Sequence, residues 1–210
     1  MALEAVYIHF PKAAGTSLAH ALRQHYGCEC VADYSDPPLP DRFGSPPVLD
    51  PKTRAVYGHF HADRYLAHVP AFRFTFLREP VDNLISIFYF WRTFPPSDYP
   101  PHQRFLAEQP TIFEFADYPE IRKLASSSYF GGVDIRHLDF VGFFERRTED
   151  LRRLSRLLGF DLNVELALNK TCGFSAERAE LKADARAMAS LRRQLADDVE
   201  FYQRALERWS

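Results

Sequence analysis

The sequence predicts an α/β fold in three layers, in which a central, mainly parallel sheet is flanked by helices. Short apolar runs typical of buried strands recur along the chain, at residues 6–10, 54–60, 72–77 and 137–144. Stretches with the apolar spacing of helices follow the first, third and fourth of these runs. Because strands that alternate with helices pair in parallel, we expect a sheet covered on both faces.

The length and composition predict one soluble domain. The chain has 210 residues, enough for a single domain over residues 1–210 and too few for two. Hydrophobic residues make up 46% and charged residues 26%, and no apolar run reaches the length of a membrane span. The first residues, Met1 to Glu4, lead straight into the first strand and leave no room for a signal segment. A cytoplasmic location is therefore expected.

Charge and cysteine content exclude some partners. The formal net charge of −2 argues against nucleic-acid binding through the overall field, although a local basic cleft is compatible with it. Cys28, Cys30 and Cys172 are an odd number of cysteines, so no disulfide framework is expected. The first two cysteines could join His59 and His61 around a metal, but this spacing matches no common zinc pattern. We predict no nucleic-acid partner and no metal site.

The first strand leads into the turn Lys12-Ala13-Ala14-Gly15-Thr16-Ser17. Its small residues let backbone N–H groups approach a ligand, and its hydroxyls lie where a helix N-cap would fall. Apolar residues then recur every four positions as far as Tyr26, which predicts a helix that stops at Gly27. Since a helix N-terminus attracts phosphate and sulfate, the turn predicts an anion site completed by the lysine and the two hydroxyls.

The third predicted strand, residues 72–77, ends in Arg78 and leads into a helix with Asp82 in its first turn. Ser86 follows Arg78 by eight residues, slightly more than two helical turns. Both side chains can therefore reach one phosphate above the N-terminus of this helix. The sequence thus predicts a second anion site, about sixty residues after the first.

The second predicted strand, residues 54–60, is broken by Gly58 near its C-terminal end, and His59 comes just after. The carboxyl ends of parallel strands form the ligand crevice of an open α/β sheet, so His59 should face the same site as Lys12. Imidazole has an unperturbed pKa near neutrality, which suits a general base. A histidine satisfied by backbone partners in a turn is the alternative, and His61 ranks below His59 as a candidate.

The order Pro-Lys-x-x-Gly-Thr-Ser differs from the nucleoside-triphosphatase P-loop, where the lysine follows the second glycine. It resembles the 5′-phosphosulfate loop of sulfotransferases that use 3′-phosphoadenosine 5′-phosphosulfate (PAPS). The segment from Leu77 to Ser86 resembles their 3′-phosphate element. The pattern is also similar to the branch with heparan sulfate and uronyl 2-O-sulfotransferases, in which a Gly-His segment supplies the catalytic histidine. Gly58-His59 stands at that place.

The resemblance implies a P-loop-like fold and sulfuryl transfer from PAPS to a hydroxyl acceptor, with PAP as product and no obligatory metal. The implied catalytic residues are Lys12, which neutralises the leaving phosphate bridge, and His59, which takes the acceptor proton. The implied cofactor-binding residues are Lys12, Ala14, Gly15, Thr16, Ser17, Leu18, Arg78 and Ser86. The acceptor is expected to be a carbohydrate or glycoconjugate, and the enzyme a bacterial soluble relative without a Golgi anchor.

Two other functions stay open at this point. A P-loop kinase or nucleotide hydrolase would need magnesium and ATP, whereas the sulfotransferase interpretation predicts selectivity for a 3′-phosphate. A non-catalytic nucleotide-binding protein would bind PAP, transfer no sulfuryl group and tolerate replacement of His59.

The remaining segments are predicted more coarsely. The proline-rich stretches 35–51 and 93–104 are expected as rims of the acceptor cleft. Residues 111–129 predict one or two short helices, and Thr148 is expected to cap the helix after the fourth strand. The last segment, 175–208, predicts a helix that packs on the sheet or serves a homodimer.

Overall fold

The computed structural model describes residues 3–13, 15–35, 37–39, 48–68, 70–162 and 173–209. The described strands are β1 Ala5–Ile8, β2 Cys30–Asp33, β3 Ala55–Gly58, β4 Phe72–Leu77 and β5 Phe140–Phe143. They form one sheet in the order β2-β3-β1-β4-β5, and every neighbouring pair is parallel. The predicted α/β architecture with a central parallel sheet is confirmed.

Helices flank this sheet. The described α-helices are α1 Gly15–Tyr26, α2 Pro80–Trp91, α3 Pro100–Glu108, α4 Ile112–Ala116, α5 Pro119–Arg122, α6 Arg147–Leu158, α7 Ser175–Ala183, α8 Ala185–Gln194 and α9 Ala196–Trp209. A π-helix, Leu124–Tyr129, follows α5. Helix α1 packs against β2 and β3, and α6 and α9 pack against β5. Over the ranges that the structure describes, no helix combines the length and apolar character of a membrane span.

The central strand of the sheet is completely buried. All four residues of β1 are buried, and the ring of Tyr7 stacks on Phe74 of β4 with 5.0 Å between centroids. Burial of one such large side chain contributes roughly 1.5–3 kcal/mol. The register places Ile8 opposite Gly58 and Thr75, so β1, β3 and β4 end at the same edge. The residues that follow these strands are therefore neighbours.

The edge strand β2, Cys30–Asp33, is not predicted from the sequence. It has four residues, three of which are only partly buried or exposed, so it lacks the apolar pattern of an interior strand. It nevertheless explains Gly58 in the neighbouring strand. A Cβ atom at Gly58 would lie 1.7 Å from the carbonyl oxygen of Asp33, so only glycine fits there.

Some local predictions are wrong. Thr148 does not cap α6, because the helix already begins at Arg147 and Thr148 lies in its first turn. The predicted C-terminal helix is three helices, α7 to α9, since Asp184 ends α7 and caps α8 with its side chain, and Leu195 separates α8 from α9. The second proline-rich stretch, predicted as a rim of the cleft, runs into α3, and residues of both parts line the cleft described below. The segment 40–47 of the first stretch and Cys172 lie outside the described residues.

Other local predictions are confirmed. Helix α1 ends at Tyr26, and Gly27 follows with a φ of 56°, a conformation that favours glycine. Helix α6 ends in the same way before Gly159, which has a φ of 77°. Residues 111–129 form short helices with the predicted break before Pro119, although they comprise three helical segments, α4, α5 and the π-helix, where one or two were predicted.

Candidate active site

A cleft of about 940 Å³ opens where the carboxyl ends of the central strands meet, a volume within the range of small-molecule sites. The structure brings most of the predicted site residues into its lining: Lys12, Gly15, Thr16, Ser17, His59, Arg78 and Ser86. Leu18 does not line the cleft, because its side chain is buried in the core. Leu18 can contact a ligand there only through its backbone N–H. Ala14 lies outside the described residues.

The turn between β1 and α1 is held by the next helix of the chain. The side-chain amide of Asn83 in α2 donates to the carbonyl oxygen of Pro11 at 2.7 Å. Arg78 donates from Nη1 to the carbonyl oxygen of Lys12 at 3.2 Å. Lys12 has a φ of 57°, in the left-handed region, which costs a residue with a side chain roughly 1–2 kcal/mol. The two predicted anion sites are therefore one connected structure.

Gly15 opens helix α1 and is needed for its packing. A Cβ atom at this position would lie 1.6 Å from Nε2 of His9, so the imidazole of His9 occupies the space of a side chain. The first backbone N–H groups of α1 have no partner within the helix and lie at the cleft. This places helix-terminal donors beside the hydroxyls of Thr16 and Ser17.

Four cationic side chains line the same cleft: Lys12, Arg78, Arg147 and Arg178. Burial, together with the charges of Arg78 and Arg178, lowers the pKa of Lys12 to about 8. Burial also lowers the pKa of Arg78, and Arg178 adds to this effect. Within the described part of the chain, Nε of Arg78 and both Nε and Nη2 of Arg178 are shielded from solvent without a hydrogen-bond partner. An anion would relieve both the repulsion and the unpaired donors.

Arg147 and Arg178 are functional candidates that sequence reasoning missed. Arg147 begins α6, and Arg178 lies in α7 with its guanidinium over the ring of Tyr89 at 4.8 Å. Each lies in a charged, ordinary-looking helical segment. No local motif marks them, because only the packing of α6 and α7 brings them to the cleft.

Ser86 lies on the face of α2 that lines the cleft and is 9% exposed. One turn later, the ring of Phe90 packs under the ammonium group of Lys12, with 4.1 Å from Nζ to the ring centroid. Cation–π contact of this kind fixes the position of the lysine. The helix α2 thus presents both the predicted hydroxyl and a support for the predicted catalytic cation.

His59 is oriented by its backbone surroundings. Its Nδ1 lies 2.6 Å from the carbonyl oxygen of His9, and a carbonyl oxygen only accepts, so Nδ1 carries the proton. Nε2 therefore keeps its lone pair. The hydroxyl of Tyr129 lies 2.9 Å from Nδ1. Burial lowers the pKa of His59 to about 4, which leaves the imidazole neutral at pH 7. The backbone contact thus prepares Nε2 to act as a base.

His61, the weaker candidate, has a structural position. Its side chain is 2% exposed, and its Nδ1 lies 2.6 Å from a carboxylate oxygen of Asp63. It caps the short 3-10 helix Ala62–Tyr65 and does not line the cleft.

Three aromatic neighbours of His59 were also missed by sequence reasoning. The ring of His9 lies 4.4 Å from that of His59, and its Nδ1 lies 3.0 Å from the hydroxyl oxygen of Tyr34. Tyr129 ends the π-helix, whose first backbone N–H groups donate to the buried carboxylate of Asp198. π-Helical segments are frequent at functional sites. The π-helix is therefore the general feature that marks Tyr129 as a functional candidate.

A buried ion pair holds the segment that carries Tyr34. Asp33 accepts from Nε of Arg64 at 2.8 Å and from the hydroxyl of Tyr65 at 2.7 Å. The hydroxyl of Ser35 donates to the same carboxylate at 2.7 Å. Burial alone would raise the pKa of Asp33, but these hydrogen bonds and the arginine charge hold it below its usual value. The network therefore positions one wall of the cleft.

We predict that Asp33→Ala lowers the free energy of unfolding by about 1–3 kcal/mol, since it removes the buried carboxylate that accepts hydrogen bonds from Arg64 and Tyr65. Urea denaturation followed by circular dichroism measures this change. The matched control is Glu200→Ala, which removes an exposed carboxylate paired with Arg204 and should cost less than about 1 kcal/mol. A similar small cost for both variants would contradict the structural role of Asp33.

The fold and the cleft together define an α/β protein with a cationic crevice beside a neutral imidazole. The chain is similar to the crystal structure of a sulfotransferase from Alicyclobacillus acidocaldarius, with a TM-score of 0.41 and 16% identity over 97% of this chain and 100% of that one. It is also similar to mouse sulfotransferase SULT7A1 complexed with PAP, with a TM-score of 0.35 and 15% identity over 90% of this chain and 64% of that one. No protein-family model and no curated protein matches the sequence. At these scores and identities, the two similarities carry no argument about the activity of this chain.

Proposed function

We propose that this protein is a sulfotransferase that transfers a sulfuryl group from PAPS to a hydroxyl group of an acceptor. The observation that carries the proposal is the meeting of three features in one cleft. These are the helix-terminal turn with Lys12, the adjoining strand tip with Arg78, and the neutral imidazole of His59. PAPS carries two separate phosphate groups, which two adjoining anion sites would match.

The donors and cations of the cleft fit a polyanion of this kind. The hydroxyls of Thr16 and Ser17 and the N–H groups at Gly15 and Leu18 would hold the 5′-phosphate, and Ala14 is proposed with them from its place in the sequence. Arg78 and Ser86 would hold the 3′-phosphate. The unpaired guanidinium donors of Arg78 and Arg178 support this assignment. Among the described residues these donors have no hydrogen-bond partner, and a bound anion would supply one.

The residues of the chain would act by positioning and electrostatics, as in phosphoryl transfer. PAPS supplies the sulfuryl group when it is bound. A bond forms between the acceptor oxygen and sulfur as the bond from sulfur to the bridging phosphate oxygen breaks, and PAP keeps that electron pair. Nε2 of His59 would take the acceptor proton, and Lys12 would stabilise the charge that develops on the bridging oxygen.

Further features of the proposal come from the sequence. The resemblance implies a carbohydrate or glycoconjugate acceptor, a bacterial soluble enzyme and independence of metal ions, and the rest of the sequence adds a cytoplasmic location and a homodimer. Each stays a prediction, and the use of EDTA in the binding experiment below tests metal independence at the binding step.

Isothermal titration with PAP, ADP and AMP, in EDTA, tests the proposal. PAP should bind more tightly than ADP and AMP, which lack the 3′-phosphate. Arg78→Ala should weaken PAP binding by about 30-fold to 1,000-fold, because a buried charge pair is lost, and should change ADP and AMP little. Arg186→Ala, which removes an exposed arginine of α8 outside the cleft, is the control and should bind PAP as the wild type does.

Two results would favour the alternatives. Equal affinity for PAP and ADP, or binding of ATP only with magnesium, would favour a P-loop kinase or hydrolase. Selective PAP binding without transfer of labelled sulfate to any acceptor in a broad screen would favour a nucleotide-binding protein.

A further inference from the structure

The cleft extends from His59 into a region lined by aromatic side chains. We call this region the aromatic lobe and define it by Trp91, Phe94, Tyr99 and Tyr129. The rings of Trp91 and Tyr99 lie 6.0 Å apart, nearly perpendicular to each other. The hydroxyl of Tyr129 lies 2.9 Å from Nδ1 of His59, so the lobe begins at the proposed base. An acceptor whose hydroxyl lies at His59 would place the rest of its body here.

Glu120 also lines this cleft. Beyond burial, its charge contributes to raising the pKa of Tyr99 to about 12, and Tyr99 in turn contributes to raising the pKa of Tyr129. Tyr99 therefore lies within the electrostatic influence of Glu120, and Tyr129 within that of Tyr99, in the cleft that all three line. Among the described residues that line the cleft, Glu120 is the only carboxylate.

In the part of the chain that the structure describes, this carboxylate forms no ion pair with a cation of the cleft. The acidic groups that act on Arg78 are Asp82, Glu145 and Glu79, and Glu120 is not one of them. The charge of Glu120 contributes to raising the pKa of Arg104, but this arginine is exposed and forms its ion pair with Glu108 at 3.0 Å. Within the described ranges, Oε2 of Glu120 is shielded from solvent and has no hydrogen-bond partner. A partly buried anion with an unpaired oxygen favours a cationic ligand.

Two other polar side chains of this region, His102 and Ser97, are already paired. Nε2 of His102 lies 3.1 Å from the carbonyl oxygen of Trp91, so this nitrogen carries the proton and donates. The other ring nitrogen of His102 therefore accepts from the hydroxyl of Ser97 at 3.1 Å. An ammonium group would find a carboxylate and the faces of aromatic rings.

We propose that the acceptor carries a protonated amine as well as the reacting hydroxyl, and that Glu120 binds this amine in the aromatic lobe. The inference rests on the proposed function, because it assigns the acceptor of that reaction. An aromatic amino alcohol and an amino sugar both have the required chemistry. The hydroxyl would lie at Nε2 of His59, and the amine at the carboxylate.

Calorimetric titration of two matched pairs of probes tests this inference, with the protein saturated by PAP. Tyramine is compared with 4-ethylphenol, and glucosamine with N-acetylglucosamine, because each pair differs in the positive charge. In at least one pair the amine should bind about 10-fold to 100-fold more tightly, the range expected for a charge-assisted hydrogen bond. The preferred pair distinguishes an aromatic amine from an amino sugar.

Glu120→Gln keeps the shape of the side chain and should abolish this preference while leaving the affinity of the neutral probe unchanged. The control is Glu207→Gln, which neutralises an exposed glutamate of α9 outside the cleft and should preserve the preference. Equal binding of amine and neutral probe in both pairs would overturn the inference. An equal loss for both members of a pair in Glu120→Gln would overturn it too.

The same titrations separate the two proposals. Absence of selective PAP binding contradicts the sulfotransferase proposal, whatever the amine probes do in the absence of PAP. Selective PAP binding without any amine preference leaves the sulfotransferase proposal standing and contradicts the role of Glu120.

Discussion

Replacement of Lys12 by alanine is expected to lower kcat for sulfuryl transfer by about 100-fold to 1,000-fold, the usual effect of removing one preorganised group that stabilises developing charge. The ammonium group lies in the cleft above the ring of Phe90 and beside Arg78. After its removal, the neighbouring arginine would have to move to take its place. The affinity for PAP should fall less than kcat, because Arg78 and the helix terminus still bind the phosphates. The measurement is transfer of labelled sulfate from PAPS to an acceptor found by screening.

A second variant separates the lost charge from a change in the backbone. Lys12 has a φ of 57°, and Lys12→Gly removes the cation while it relieves the strain of this conformation. It should lose as much activity as the alanine variant and be at least as stable to heat. Lys52→Ala, an exposed lysine outside the cleft, should retain full activity. If both Lys12 variants weakened PAPS binding with kcat unchanged, Lys12 would be a binding residue without a catalytic role.

Replacement of His59 by alanine is expected to lower kcat by about 100-fold to 10,000-fold, the contribution of a general base. His20→Ala, which changes an exposed histidine of α1 outside the cleft, is the matched control and should leave kcat unchanged. PAP affinity should be similar in both variants, since the proposed role of His59 concerns the acceptor proton. Full activity of the His59 variant would assign the proton transfer to another group.

The pH dependence follows from the same environment. Burial lowers the pKa of His59 to about 4, and the basic form of imidazole is the neutral one, so kcat/KM should rise as pH increases through about 4. Lys12 acts as a cation, and its pKa is lowered to about 8, so kcat/KM should fall as pH increases through about 8. The acidic limb should disappear in the His59 variant. An acidic limb near 6.5 would mean that His59 has an ordinary solvated environment in the working enzyme.

Much of the fold is readable from local patterns. Buried strands such as β1 and β5 show short apolar runs, and helix α6, which follows β5, shows a clear apolar face and the end signal Gly159. The edge strand β2 escaped prediction because its residues are too exposed to form such a run. The prediction that Thr148 caps a helix is wrong, because several polar residues in succession make the first residue of a helix ambiguous.

Local sequence patterns are enough to predict the strand-turn-helix segments around Lys12 and Arg78 and the position of His59 at a strand end. These are local properties, since neighbouring residues alone create a turn, a strand end and a helix start. In contrast, Arg178, Tyr129 and Glu120 line the same cleft only because the tertiary structure brings them there. These three residues lie on helices whose sequence patterns indicate only how the helices pack. Their approach to the strand ends depends on the summed burial of side chains from segments far apart in the chain, which no local spacing encodes.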